Sequence, residues 1–179
     1  TNPTSQVLEI RNHMFLIDCG EGSQRQMRLN KVGFSKISTI FISHLHGDHF
    51  FGLIGLISTF GILNREKELH IHGPKGIKEV INIQLKHSKS YVKYKIIFHE
   101  LNSTESELIF EDEKVKVYTI PLNHRVYTNG FLFKEKEKSR KINISAVKEF
   151  KEIDKCDYNN LKAGKDFKLD SGDVIKNSE

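Results

Sequence analysis

The stretch that decides how this chain is read is HLHGDH, residues 44–49, which sets three histidines and an aspartate in six positions. It follows KISTIFIS (36–43), an apolar, β-branched run that predicts a buried strand ending in a loop. It precedes FFGLIGLISTFGIL (50–63), apolar on nearly every face and best read as a buried core helix. In an extended segment alternate side chains share one side, so His44 and His46 can grip the same ion. Gly47 permits a turn, after which Asp48 and His49 can face a second ion. Imidazole and carboxylate suit zinc best, with manganese or iron as alternatives.

A lone HxH says much less. His70 and His72 in LHIHGP repeat that spacing without a following Asp-His, and they read as strand and turn residues. A tetrahedral site needs more than two histidines. His124 in IPLNHRVYTNGF (120–131), at the end of an apolar strand, is the best further candidate. Asp18 also ends a strand. Its carboxylate can orient one of the loop histidines, or it can simply initiate the turn before Gly20.

The chain has 179 residues, 37% hydrophobic, enough for one domain with a substantial core. The run from Phe50 to Leu63 is too short for a bilayer, which takes ~20 apolar residues, so no membrane association is expected. The opening TNPTSQ is polar, so no signal or transit peptide is expected, and cytoplasm is the expected compartment. The chain starts without methionine and stops on KNSE with no finishing element, so a processed or partial chain is expected. Cys19 and Cys156 lie far apart and imply no disulfide framework. Net charge is +5, and two tracts hold basic residues without any acid: Arg25, Arg28, Lys31 and Lys36, then Lys86, Lys89, Lys93 and Lys95. Such tracts favour a polyanion, or are the solvated surface of a basic protein.

Further elements follow from pattern. VLEI and MFLIDC, separated by RNH, predict an antiparallel hairpin, and Ser23 is placed to cap the helix SQRQMRLNKV. ELHIHG predicts a strand. PKGIKEVINIQLKH predicts a helix with Pro74 near its first turn. YKIIFHEL, SELIFED, KVKVYTIPL and NGFLFKE predict strands, and the mixture indicates an α/β sandwich. After Phe133 the composition shifts to KEKEKSRK, then to short helix candidates and a hairpin-like FKLDSGDVI. Residues 1–133 are therefore read as the core and 134–179 as a charged excursion from it.

HLHGDH after an apolar strand resembles the signature of the metallo-β-lactamase superfamily. PTSQVLEI, FLIDCGEGSQRQM, FISHLHGDHFFGLIGLI and LHIHGPKG together resemble its ribonuclease Z family, which trims tRNA 3′ ends, over Thr1 to about Phe133. The resemblance implies the αβ/βα metallo-β-lactamase fold, of which this chain carries the N-terminal half plus a protruding arm. It also implies two zinc ions held by His44, His46, Asp48 and His49, with His124 as the next ligand and Asp48 as proton acceptor. The implied reaction is attack of metal-activated water on the phosphodiester after the discriminator nucleotide, leaving a 3′-hydroxyl. The implied partners are precursor tRNA and a second subunit, one subunit's arm presenting tRNA to the other. The arm's candidate RNA contacts are Lys134, Lys136, Lys138, Arg140 and Lys141.

The chain departs from that pattern in lacking a bridging aspartate in an S-D-T-like motif and a later histidine. Asp170-Ser171-Gly172-Asp173 has no apolar strand leading into it and reads as a hairpin turn. The arm lacks the Gly-Pro motif that many members of the family carry. Residues 1–179 alone are accordingly expected to be nearly inactive. Two rival readings stand beside this one: a hydrolase of a small ester or other phosphodiester with the same metals, and a catalytically incomplete RNA-binding fragment.

Overall fold

Side-chain alternation along the strands decides the layering. The structure, a computed structural model, describes residues 3–137 and 140–177. β1 (Gln6–Ile10) and β2 (His13–Ile17) form an antiparallel hairpin, with Arg11 and Asn12 in its turn at φ of 51° and 70°. Positive φ at both central residues matches the twist of a two-residue hairpin. β3 (Ile37–Phe41), β4 (Leu69–Pro74) and β5 (Ile96–Leu101) then add in parallel, giving the order β1-β2-β3-β4-β5. Parallel neighbours need crossovers, and helices supply them. These are α1 (Ser23–Leu29), the short α2 (Gly47–Phe50) running into α3 (Leu53–Ile62), and α4 (Ile77–His87).

One face of this sheet presents Leu16, Ile40, Leu69 and Ile71 to Leu53, Leu56, Ile57 and Phe60 of α3 and to Ile77 and Ile81 of α4. The opposite face presents Phe15 and Phe41 to a second, antiparallel sheet. It comprises β6 (Leu108–Glu111), β7 (Val115–Pro121) and β8 (Asn129–Glu135), through Val115, Val117, Phe131 and Phe133. Phe15 lies 5.4 Å from Phe133 and Phe41 5.2 Å from Phe131, ring centroid to centroid. Fully burying such a side chain contributes ~1.5–3 kcal/mol, so these contacts hold the two sheets together. Helices, mixed sheet and antiparallel sheet make the expected α/β sandwich. No described helix is long and apolar enough to cross a membrane.

The chain divides into two compact units, Thr1–Lys136 and Glu137–Glu179. The sequence boundary at Phe133 falls inside β8, because the ladder to β7 runs on through Lys116↔Lys134 and Val115↔Glu135. The second unit holds α5 (Ile144–Val147), α6 (Tyr158–Lys162) and a two-stranded ribbon, β9 (Phe167–Lys168) with β10 (Val174–Ile175). None of its described residues is buried, in keeping with its few large apolar side chains. Asp170–Asp173 form the ribbon's turn, closed by Leu169 N donating to Asp173 O at 2.8 Å.

Two local expectations fail. Ser23 does not cap α1: Gly22, at φ 78°, occupies that position, and the Ser23 hydroxyl donates back to the Gly20 carbonyl at 2.6 Å. Pro74 does not open α4. The β4–β5 ladder extends through Pro74↔Leu101, and the Glu100 carboxylate accepts from Gly76 N (2.7 Å) and Lys78 N (3.3 Å) at the helix start.

His70 and His72 of β4 share a face with His99 of β5. His72 stacks on His99 with centroids 4.2 Å apart, and His70 Nδ1 lies 3.0 Å from His99 Nε2. Burial foremost, then His99 and His70, push the His72 pKa down to about 3. The unfolded chain takes that proton near ~6.5, so the unfolded state binds more protons below this pH. Stability from His72 is thus full above about 6.5 and is lost as pH falls toward 3. Denaturant titration of the metal-free protein is expected to show His72 costing about 2 kcal/mol between pH 7 and pH 5. The His72→Phe variant should lose that part of the slope; an unchanged slope would show that His72 does not set it.

Candidate metal centre

The centre is assembled from three chain segments leaving strand ends. Asp18 follows β2, Ser43 and the HLHGDH loop follow β3, and His124 sits in the β7–β8 connection. The first two segments are locked backbone to backbone. Cys19 N donates to His49 O (2.7 Å), Gly52 N to Cys19 O (2.9 Å) and Thr4 N to Asp48 O (3.0 Å). Glycine is needed at this approach: a Cβ on Gly20 would collide with the Asp48 carbonyl, and one on Gly52 with the Gly20 carbonyl. The DCGEG and GDHFFG sequences are thus two sides of one contact.

Asp18, buried and at φ 56°, organises the loop. It accepts from Ser43 N at Oδ1 (2.8 Å) and lies 2.7 Å, through Oδ2, from His49 Nδ1. A proton on His49 Nδ1 satisfies that carboxylate and leaves Nε2 as the free donor. The Ser43 hydroxyl donates to Asp18 Oδ2 (3.0 Å) and stands 3.0 Å from His44 Nδ1. Accepting from His44 Nδ1–H, it leaves His44 Nε2 free in turn. Burial foremost, then His49 and His46, hold the His44 pKa below its ordinary value. The imidazole therefore stays neutral, the form that binds a cation.

His44 Nε2 lies 3.0 Å from His46 Nδ1, and His124 Nε2 lies 3.4 Å from the same atom. The donor atoms of His44, His46 and His124 all fall within 4.8 Å of one another. One proton cannot serve three converging nitrogens, whereas nitrogens ~2.0–2.1 Å from a tetrahedral zinc stand ~3.4 Å apart. The donor set fits such an ion. Asp48 and His49 stand apart from this trio: His49 Nε2 is 3.5 Å from Asp48 Oδ2, and the Asp48 side chain is 64% exposed. A cleft of about 650 Å³ opens over Asp18, Ser43, His44, His49 and His124.

The basic residues singled out by sequence fall in both units. Lys134 is exposed on β8. The Lys136 ammonium pairs with Glu111 at 2.5 Å. Arg140 donates to Asn177 Oδ1 at 2.8 Å, and Lys141 is exposed. Lys138 lies outside the described residues. Sequence reasoning passed over Ser43, whose only signal was its place directly before HLHGDH. It also passed over Arg125, beside His124, whose Nη2 reaches to 3.2 Å from His46 Nε2.

Residues 2–157 match the family model described as Anti-Pycsar protein Apyc1. The chain belongs to that family. Curated relatives over the same stretch carry the name Ribonuclease Z. That of Bacteroides thetaiotaomicron is 48% identical over 174 residues, covering 97% of this chain and 55% of its own length. That of Bacteroides fragilis is 46% identical over 175 residues, covering 98% of this chain and 57% of its own length. The chain thus spans a little over half the length of these relatives. Among solved structures, human tRNase Z, short form, superposes with a TM-score of 0.70 at 32% identity, covering 76% of this chain and 61% of that one. The metallo-β-lactamase fold protein YhfI of Bacillus subtilis matches at 0.55 and 16% identity, covering 74% and 50%. This family member has the metallo-β-lactamase fold, and the resemblance to ribonuclease Z read from its motifs extends over nearly the whole chain.

Proposed function

We propose that the chain is the metal-binding part of a zinc-dependent endoribonuclease of the ribonuclease Z type, which removes the 3′ trailer of precursor tRNA and leaves a 3′-hydroxyl. The convergence of His44 Nε2, His46 Nδ1 and His124 Nε2 carries this reading. The names and identities of the relatives support its substrate.

In this reading His44, His46 and His124 hold one ion, and Asp48 and His49 contribute to a second; manganese or iron are the alternatives to zinc. When bound, such ions act as Lewis acids that activate water and offset charge on the phosphodiester. Asp48, whose exposed carboxylate lies beside His49, accepts the proton of the attacking water. Asp18 and Ser43 fix the imidazole tautomers, so that His49 and His44 present Nε2. The reading further places the protein in the cytoplasm as a homodimer, with residues 137–179 gripping the tRNA backbone through Arg140 and Lys141, assisted by Lys134. Lys138 belongs to the same group, and Lys136 contributes only as its pairing with Glu111 allows.

A second reading, in which the same centre hydrolyses a small ester or other phosphodiester instead of tRNA, rests on the same metal chemistry, which is not specific to RNA. One experiment separates the two. Zinc-loaded full-length protein is given precursor tRNA or bis(p-nitrophenyl) phosphate, with and without residues 140–177. Trailer removal is expected from the intact protein. The deletion should weaken tRNA binding and lower its salt slope by ~0.7–0.9 for each phosphate no longer neutralised, sparing the small substrate. Hydrolysis of the small diester with no cleavage of precursor tRNA would favour the second reading.

A further inference from the structure

Arg125 brings a guanidinium to the mouth of the histidine trio, with Nη2 3.2 Å from His46 Nε2. The residue is exposed, and among the described residues no carboxylate pairs with it. A fixed positive charge beside a candidate cation site is unfavourable by itself, the more so as water is excluded. An anion seated between the two restores the balance.

The histidine geometry points the same way. His46 turns Nδ1 toward His44 and His124 and Nε2 toward Arg125. Ligation through Nδ1 puts the imidazole proton on Nε2, which then meets the Arg125 N–H donor against donor. The guanidinium must leave that position. Its planar fork of N–H groups matches an anionic phosphate far better than a neutral carbonyl.

We propose that Arg125 binds a non-bridging oxygen of an anionic phosphodiester at the ion held by His44, His46 and His124, and so selects anionic over neutral substrates. The proposal rests on the metal-centre reading above and names the charge class of its substrate.

The test compares zinc-loaded wild-type protein with Arg125→Gln and Arg125→Lys, using inorganic phosphate as probe in calorimetry. Removing one charge-assisted hydrogen bond should weaken phosphate binding roughly 10- to 100-fold in Arg125→Gln. Arg125→Lys keeps the charge but not the fork, and should fall between Arg125→Gln and wild type. Zinc content should be unchanged in both, and KM for bis(p-nitrophenyl) phosphate should rise in step with the weakened affinity. Equal phosphate affinity in wild type and Arg125→Gln, both fully loaded, overturns the role of Arg125 and leaves the metal centre standing. So does a loaded wild type that binds no phosphate. Loss of zinc from Arg125→Gln also overturns it, since the arginine would then be supporting the ligands. A wild type that holds no zinc at all removes both proposals together.

Discussion

Alanine at His46 is expected to strip the ion from the three-histidine centre and to abolish cleavage while leaving the fold intact. His46 is the hub of the trio, since both His44 Nε2 and His124 Nε2 lie within 3.4 Å of its Nδ1. Removing it leaves two nitrogens, too few for tight tetrahedral binding. Loss of a partner that merely supports a ligand costs ~10–100-fold in metal affinity, so loss of the hub should cost more than ~100-fold. The side chain is half-exposed and its ring contacts are with His44 and His124, not with the core. Stability of the metal-free variant should therefore change by about 1 kcal/mol or less. Metal analysis after dialysis, together with denaturant unfolding, checks both halves of the claim. A variant that kept its metal and its activity would show that the ion is not held by this trio.

The second large effect is expected at Asp48. Changing it to Asn keeps the shape and removes the carboxylate proposed above as proton acceptor. Its side chain stands open to solvent, apart from the trio. Asp48→Asn in the full-length protein should leave the ion at His44, His46 and His124 in place and lower kcat by ~10²–10⁴. Metal content measured beside single-turnover cleavage separates the two roles. If kcat fell only because the trio's ion was lost, Asp48 would be a support for the trio and not the acceptor.

Much of the first unit was legible because its strands read as dense apolar runs, β3 and β4 being buried almost throughout. Residues 36–43 and 94–101 sit where the pattern put them. What escaped the reading depends on neighbours remote in sequence. Pro74 looked like a helix opener, yet the ladder to β5 keeps it in the strand, and Glu100 from that neighbour caps α4. No local pattern could place Glu100 there. The boundary at Phe133 was read from composition and cuts the strand NGFLFKE, which the pattern had carried to Glu135, where its pairing with β7 ends. At the centre, the six-residue motif and His124 drew attention through residue type, spacing and their place after apolar strands. Ser43 and Arg125 are ordinary in type, and only their distances to the histidines mark them.

His46 and His124 are 78 positions apart, one on the loop after β3 and the other between β7 and β8. An ion shared by them is thus a clasp across the sandwich, joining the mixed sheet to the antiparallel one. It disfavours every excursion in which the Phe131 and Phe133 layer lifts away from Phe15 and Phe41. At a free ion concentration 100 times its dissociation constant, such a clasp adds about 2.7 kcal/mol against opening. Opening of that layer is also what a protease needs in order to cut. The lifetime of this protein in a cell should accordingly follow the cell's metal supply, so that starvation for the ion removes the protein as well as its chemistry.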